Sequence, residues 1–223
     1  MRAPSVLTEN ATIEAAIGGV SLSRYGDGEL RICTGGTAVS QRITPPKLVA
    51  ELREILATET PGLLVCIPNY KEGPRVANWA KYAEPKYLSL YGKQVYGSAF
   101  ITRPDNAPRI AVPGYWARLR KLWQDKDVIL VTGVATASKS LCPEIMTDAA
   151  SIRRVWAPHV EAYDQIDRVE AECVALHAQK PGPVIMCLGA TATVLAWRLA
   201  KRHVHALDLG HVGMFMKRLG VAA

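Results

Sequence analysis

The sequence predicts an α/β protein with a mainly parallel sheet flanked by helices, and three observations support this prediction. Short apolar runs of strand length alternate with helical patterns through most of the 223 residues, which is typical of a parallel sheet. Several runs are continuously apolar, as expected for strands buried on both faces. The length fits one domain, which we expect to span residues 1–223.

Six short runs are predicted to be strands, and the four stronger ones end at or near glycine or proline. These four are Val20–Ser23, Leu63–Ile67, Val128–Val131 and Val184–Leu188. A weaker pair consists of Ile152–Trp156 and His205–Leu209.

Four helices are predicted from apolar residues at helical spacing. The first is opened by Pro45 and Pro46 and runs to Leu56, and the others are Pro113–Trp123, Tyr163–Ala178 and Thr191–Lys201. Proline suits the first turn of a helix. The segment Asn69–Pro108 departs from the alternation, since it is rich in Tyr, Lys, Gly and Pro and has weak periodicity. We expect an insertion or lid region there, where substrate contacts are common.

Composition excludes several classes of protein. Apolar residues make up 49% and charged residues 21% of the chain, as in ordinary globular domains. The longest apolar runs are far shorter than the ~20 residues of a membrane-spanning helix. The N-terminus lacks the apolar core of a signal peptide, so we expect a cytoplasmic protein. Five widely spaced cysteines without a C-x-x-C motif argue against a disulfide framework and a structural zinc site.

The net charge of +7 is compatible with anionic partners. Nucleic acid is one such partner, but the Lys and Arg residues are scattered along the chain, which disfavours this interpretation. Small ligands that carry phosphate groups suit the same charge.

The first candidate site is the segment Arg24-Tyr25-Gly26-Asp27-Gly28-Glu29, which follows a predicted strand. Its glycines allow a sharp turn and a close approach of a ligand. In an extended segment, Asp27 and Glu29 would point to one side. Two carboxylates supplemented by phosphate oxygens commonly hold Mg²⁺ or Mn²⁺, and Arg24 could pair with a diphosphate. The alternative is a structural Gly-Asp-Gly turn with a solvated glutamate.

The second candidate site is the segment with Gly189, Thr191 and Thr193, where a buried strand runs into a glycine and a helix start. Free backbone N–H groups and hydroxyls at a helix N-terminus can bind an anion. The alternative is a threonine N-cap without a ligand. Because ligands of α/β sheets bind at the carboxyl ends of strands, phosphate or nucleotide binding is favoured.

Two further segments supply candidate polar side chains. Asp208 and His211 follow the last predicted strand, and His211 is a candidate base or phosphate contact. A hydrogen bond between these two residues that ties strand to loop is an equal alternative. Arg103 precedes Pro104 in an apolar stretch. It is either a rigidly placed phosphate or sugar contact or an exposed surface arginine.

These four segments, in this order, resemble the GT-D fold glycosyltransferases, a family formerly known as a domain of unknown function. The family patterns are R-F/Y-G-D-G-E, Y-G-x-A-F-I-T-R-P, L-G-x-T-A-T-V-L-A and D-I-G-H. Here they fall at residues 24–29, 96–104, 188–196 and 208–211. Each motif alone is weak, but four in order over most of the chain are a specific signal.

The resemblance implies a Rossmann-like enzyme that passes a sugar from a UDP-sugar to an acceptor glycan or glycosylated protein. It implies a divalent metal, Mn²⁺ or Mg²⁺, held by Asp27 and Glu29, which with His211 are the candidate catalytic residues. Donor contacts are expected from Arg24, Tyr25, Gly26, Gly28, Arg103, Gly189, Thr191, Thr193 and Asp208. The metal and the arginines would neutralise the charge that develops on the leaving diphosphate.

Two departures from the family pattern lie where an acceptor is expected to bind. The family commonly has V-E-G-E after the third predicted strand, whereas this chain has Val131-Thr132-Gly133-Val134. The acidic, aromatic tail after D-I-G-H is replaced by Val212–Arg218. A nucleotide-sugar-binding protein without transfer activity is therefore the alternative to a transferase. The sugar, the acceptor, the anomeric outcome, the general base and the formation of a homo-oligomer are left open.

Overall fold

The computed structural model describes residues 4–39, 41–71, 74–133 and 143–220, in which eight strands form one sheet. In chain order, strands β1 to β8 are Ser5–Val6, Ser21–Arg24, Leu63–Ile67, Val95–Ser98, Asp127–Gly133, Ser151–Ala157, Val184–Cys187 and Ala206–Asp208. Their spatial order is β1-β4-β3-β2-β8-β7-β5-β6. Every pairing between these strands is parallel, which confirms the predicted α/β class.

The six predicted strands are confirmed as β2, β3 and β5 to β8, with small shifts at their ends. The interpretation of Asn69–Pro108 was incomplete, because this segment contributes β4 to the sheet as well as short helices. β4 carries Gly97, at which a Cβ atom would lie 2.6 Å from the sulfur of Cys66 in β3. The glycine that weakens the strand signal in the sequence thus permits the close approach of β4 to β3.

Nine α-helices surround the sheet within the described ranges. In chain order, α1 to α9 are Glu9–Ile17, Asp27–Cys33, Pro46–Ala57, Val76–Ala80, Pro85–Leu88, Pro113–Arg120, Ile166–Gln179, Ala190–Ala200 and Val212–Leu219. The four predicted helices are confirmed as α3, α6, α7 and α8. None of the helices in this part of the chain has the length and apolarity needed to cross a membrane.

The helices cover both faces of the sheet and form two apolar cores. Alternate residues of β5 divide between them, since Ile129 and Val131 belong to one core and Val128 and Leu130 to the other. The first core contains residues of α3, α7 and α8. The second contains residues of α1, α6 and α9.

The direction of chain progress reverses between β2 and β8. From β2 the chain moves toward one edge of the sheet through β3 and β4. It then crosses to β5 and β6 near the other edge, and returns through β7 to β8, which lies beside β2. β2 and β8 pair through Leu22 and Leu207. Ligands of open α/β sheets bind in the crevice at such a reversal, outside the carboxyl ends of the strands.

Candidate active site

A cavity of about 490 Å³ opens at the carboxyl ends of β2, β7 and β8. It lies where the strand order reverses, and the four predicted segments meet there. The predicted site residues that line it are Arg24, Gly26, Asp27, Gly28, Glu29, Arg103, Gly189, Asp208 and His211. The three predicted site residues that do not line it are Tyr25, Thr191 and Thr193.

The acidic turn begins helix α2, which differs from the extended segment expected from the sequence. Gly26 is the N-cap, and Glu29 folds back so that its Oε2 accepts the backbone N–H of Gly26 at 2.7 Å. Residues two apart in a helix are separated by roughly 200°, so the two carboxylates are not aligned as in the predicted extended segment, although both line the cavity. Asp27 is exposed and pairs with Arg31 at 3.2 Å.

Glu29 is the more protected of the two carboxylates. Burial raises its pKa, and the negative charge of Asp27 acts in the same direction. Hydrogen bonds from backbone N–H groups, including that of Gly26, and the positive charge of Arg24 oppose this rise. Glu29 therefore combines a structural role at the start of α2 with a position on the cavity wall.

Arg24, the last residue of β2, is one of the arginines that line the cavity. Its Nη1 donates to Oγ1 of Thr102 at 2.7 Å. A Cβ atom at Gly210 would lie 3.0 Å from Nη2, so the guanidinium packs against bare backbone. Its Nε is buried and has no hydrogen-bond partner in the described part of the chain. The guanidinium thus retains donor capacity that these protein groups leave unused.

Asp208 ends β8 and is 6% exposed. Its Oδ1 accepts the N–H of Gly210 at 3.1 Å, a bond within the turn, whereas a bond to His211 was one of two alternatives drawn from the sequence. Burial raises the pKa of Asp208 to about 7, because desolvation and the charge of Glu29 outweigh the attraction of Arg24. The carboxyl group is therefore poised between its two protonation states near neutral pH.

His211 and Arg103 also line the cavity. His211 is exposed and precedes α9. Desolvation by the surrounding protein and the charges of Arg103 and Arg24 lower its pKa, so its ring is neutral at pH 7. Arg103 is bound by both carboxylate oxygens of Asp105, at 2.9 and 2.8 Å, and its guanidinium lies 5.4 Å from the ring centre of Phe215. Arg103 is thus held in place.

The loop after β7 brings the start of α8 to the cavity. Gly189 is the N-cap and has φ 53° and ψ −138°, a conformation that residues with a side chain rarely adopt. The helix begins at Ala190, one residue earlier than predicted. Its first backbone N–H groups lie beyond the reach of the intrahelical ladder, which makes this end suited to an anion.

Thr191 and Thr193 were predicted as donor contacts, and both side chains are buried inside the helix packing, at 2% and 0% exposure. Thr193 donates its hydroxyl to the carbonyl of Arg24 at 2.8 Å. Ser23 returns a bond to the carbonyl of Thr193 at 2.8 Å. These bonds fasten α8 to the end of β2, so Thr193 supports the cavity without lining it.

Tyr25, also predicted as a donor contact, does not line the cavity. Its side chain is fully buried, and its hydroxyl donates to the carbonyl of Leu52 in α3 at 2.7 Å. Burial raises its pKa well above the ordinary value. In this conformation the Tyr25 side chain does not reach the cavity, because the strand alternation that directs Arg24 to the cavity directs Tyr25 to the core.

Several lining residues were not found from the sequence. Trp79 in α4 lies in the segment predicted as a lid region, where no motif marked it. Its indole N–H donates to Oδ1 of Asn106 at 2.9 Å, and its ring centre is 5.3 Å from that of Phe100. His159 follows the carboxyl end of β6, so the strand-end rule that selected Asp208 could have selected it. Val39 contributes an apolar wall on a loop that carried no signal.

The metal-binding capacity of the cavity rests on oxygen donors. In the described ranges, no three His, Cys, Asp or Glu side chains are grouped closely enough to hold a metal ion among themselves. Asp27 and Glu29 each keep a carboxylate oxygen beyond the contacts with Arg31 and Gly26 described above. This donor set fits a hard cation that takes its remaining ligands from phosphate oxygens and water, as Mg²⁺ commonly does.

The departure from the family pattern after β5 is partly visible. Thr132 and Gly133 end the strand, and Thr132 is fully buried. Val134 lies outside the described residues.

Relatives of known sequence match most of this chain. A family model described as the glycosyltransferase GT-D fold matches residues 22–215. A probable glycosyl transferase, Gly of Streptococcus gordonii, is 32% identical over 206 residues, which cover 87% of this chain and 30% of that protein. Glycosyltransferase GlyD of Streptococcus pneumoniae serotype 4 is 29% identical over 205 residues, covering 86% of this chain and 25% of that protein. The chain therefore spans less than a third of the length of these curated relatives.

Solved structures share the fold. A glycosyltransferase from Streptococcus sanguinis superposes with a TM-score of 0.82 at 30% identity, over 99% of this chain and 87% of that chain. A domain described as having a distinct glycosyltransferase fold gives a TM-score of 0.81 at 27% identity, over 97% of this chain and 82% of that chain. With the four motifs gathered at one cavity and the family model matching most of its length, this chain belongs to the GT-D fold glycosyltransferases.

Proposed function

We propose that this protein is a glycosyltransferase that takes its sugar from a UDP-sugar and passes it to an acceptor glycan or glycosylated protein. The observation that supports this proposal is the meeting of Arg24, the acidic start of α2 and the N-terminus of α8 in one cavity. This combination provides cationic, metal-binding and backbone N–H groups for a diphosphate. The cavity volume is within the range of small-molecule sites.

The diphosphate is assigned to the base of the cavity. Arg24 and the backbone N–H groups at the start of α8 bind its oxygens, and Arg103 adds a second, fixed positive charge. A Mn²⁺ or Mg²⁺ ion held by Asp27 and Glu29 would supply Lewis-acid stabilisation of the leaving diphosphate. These groups act on charge that develops as the glycosidic bond to the phosphate breaks, which is where electrostatic stabilisation accelerates the reaction.

His211 is the candidate for accepting the proton of the acceptor hydroxyl. Its pKa is lowered, so the ring is in the basic form at neutral pH. It is exposed on the cavity wall, where an acceptor can approach from solvent. Asp208 is assigned to the donor side, since it is buried beside Arg24 and Glu29.

The test is a donor screen that measures UDP release in the presence of Mn²⁺, with Asp27→Asn and Glu29→Gln compared against the wild type. Glutamine is chosen because it keeps an oxygen that can accept the Gly26 N–H, whereas alanine would also remove the cap of α2. We expect release to fall to background in both variants and in the wild type treated with a chelator. Glu54→Gln, an exposed carboxylate on α3 that does not line the cavity, is the matched charge control.

Full activity in both cavity variants would refute the metal assignment. Circular dichroism and thermal unfolding of each variant separate loss of the site from loss of the fold.

A second candidate is a nucleotide-sugar-binding protein without transfer activity. It is favoured by the end of β5, where Thr132 stands in place of the first acidic residue of the family pattern. Calorimetric binding of UDP with Mn²⁺, together with no turnover across a broad panel of donors and acceptors, would support this candidate over the first.

A further inference from the structure

Three arginines line the cavity, and they differ in what holds them. Arg31 pairs with the carboxylate of Asp27, and Arg103 pairs with both carboxylate oxygens of Asp105. Arg24 is instead held by a neutral hydroxyl, that of Thr102. A carboxylate that is bound directly to an arginine competes with an anionic ligand for its N–H groups. The Thr102 hydroxyl takes up only one N–H of Arg24, and the nearby carboxyl groups of Asp208 and Glu29 act on Arg24 through their charge.

We propose that Thr102 is a positioning residue that holds the Arg24 guanidinium in place for the diphosphate group of the ligand. This inference rests on the proposed function for the identity of the ligand. Thr102 does not line the cavity itself, so its effect on binding is transmitted through Arg24.

The direction of the hydrogen bonds defines the role of Thr102. Its side chain is fully buried, and its hydroxyl donates to the carbonyl of Leu209 at 2.9 Å. A hydroxyl has a single proton, so this bond leaves the oxygen only as an acceptor toward Arg24. Nη1 of Arg24 fills that position at 2.7 Å. The two hydrogen bonds therefore run in one direction. Arg24 donates to Thr102, and Thr102 donates to the carbonyl of Leu209, the residue after β8.

Gly210 completes the support of the guanidinium. It has φ 53°, and a Cβ atom there would lie 3.0 Å from Nη2, 3.2 Å from Nη1 and 3.3 Å from Cζ of Arg24. The guanidinium thus lies against backbone that carries no side chain. Arg24 is set by three separate parts of the chain, namely β2, the turn after β4 and the turn after β8. Such support reduces the conformational entropy that an arginine loses on binding a ligand.

The first experiment compares Thr102→Val, which removes the acceptor at nearly constant volume, with Thr102→Ser, which keeps it. Binding of UDP and of inorganic pyrophosphate, each with Mn²⁺, is measured by calorimetry. We expect Thr102→Val to weaken both ligands by about tenfold, as is typical for loss of a hydrogen bond to a charged group. Thr102→Ser should restore affinity to within about twofold of the wild type. Failure of the serine variant to restore affinity while it remains folded would overturn the proposal.

The matched control is Thr12→Val. Thr12 is also fully buried, donates its hydroxyl to the carbonyl of Thr8 at 2.9 Å, and accepts the N–H of Ser98 at 2.9 Å. It lies in α1 and does not line the cavity. Both valine variants should lower thermal stability, but only Thr102→Val should weaken ligand binding. Equal weakening by both would indicate a general loss of structure and overturn the positioning role.

A double-mutant cycle separates action through Arg24 from any other effect. In an Arg24→Ala background, Thr102→Val should cause no further loss of affinity for UDP, because the side chain that it positions is absent. A further tenfold loss in that background would overturn the proposal.

A measurement without ligand tests whether Thr102 positions Arg24, and its result does not depend on the proposed function. Side-chain NMR of Arg24 should show restricted motion in the wild type and in Thr102→Ser, and averaged motion in Thr102→Val. A mobile Arg24 in the wild type would overturn the positioning role. Restricted motion in a wild type that binds neither UDP nor pyrophosphate would leave the positioning role intact and refute the proposed function alone.

Discussion

Replacing Asp208 by asparagine should change how stability depends on pH. The carboxyl group is 6% exposed, and burial raises its pKa from 3.8 to about 7. Between these two values the unfolded chain releases its proton while the folded chain retains it, so stability falls as pH rises. A shift of about three pKa units corresponds to a loss of about 4 kcal/mol across that range. Asparagine stays neutral, and its Oδ1 can still accept the Gly210 N–H.

The assay is urea unfolding followed by tryptophan fluorescence between pH 4.5 and 8, with a chelator present and no nucleotide. The difference in unfolding free energy between Asp208→Asn and the wild type should grow in favour of the variant as pH rises, with a slope that approaches about 1.4 kcal/mol per pH unit. A difference in unfolding free energy that stays constant across the pH range would refute the reasoning, because a constant difference arises from changed contacts and not from titration of Asp208. Most other titrating groups cancel in the comparison.

Asp105→Asn is the control, because the carboxyl group of Asp105 should change stability with pH in the opposite direction. Burial of Asp105 tends to raise its pKa, but the hydrogen bonds and charge of Arg103 and the charge of Arg75 outweigh this and hold its pKa below the ordinary value. Its ionised form therefore contributes stability above the unfolded pKa, and this contribution is lost as pH falls through the folded pKa. Asp105→Asn should destabilise the protein near neutral pH and lose that effect in the acid range.

Two further predictions test the lining of the cavity. Tyr25→Phe should lower the unfolding free energy by about 1–2 kcal/mol, since the Leu52 carbonyl loses its partner, and should leave UDP affinity unchanged by calorimetry. A drop in affinity at full stability would restore the donor contact predicted from the sequence. Trp79→Leu should weaken UDP about tenfold through loss of aromatic stacking on the base, while pyrophosphate affinity holds. Equal losses for the two ligands would contradict a role for Trp79 in binding the base.

The parts of the fold that were predicted are those with a local signal. β3 was predicted with its observed bounds because its apolar run is buried and has a clear end. β1 has two residues and β4 contains Gly97, so neither has a pattern long enough to detect. Helix α2 was interpreted as an extended turn, because its Gly-Asp-Gly start has turn composition and its capping contact forms only once Glu29 folds back.

The candidate site was predicted as four separate segments, and the structure brings them to one cavity because parallel strands end at one edge of the sheet. Which side chains face that cavity could not be predicted with the same success. Tyr25 lies between two lining residues in the sequence, and Thr193 follows the lining residue Gly189 by four positions, but both side chains are buried in the packing. Trp79 and Thr102 act across long sequence separations, through Asn106 and Arg24. Contacts between residues so far apart in the sequence produce no local pattern from which they could be predicted.

The position of β8 has a consequence for how the molecule is made. β8 lies between β2 and β7, yet it is the last strand along the described chain. Until residues 206–208 have left the ribosome, the two halves of the sheet have no strand to join them, and β2 and β7 present unpaired edges. Open edges of this kind pair readily with other chains, and contacts over such long separations form slowly. The continuous sheet, and the part of the cavity lined by Asp208, therefore cannot form until β8 lies between β2 and β7.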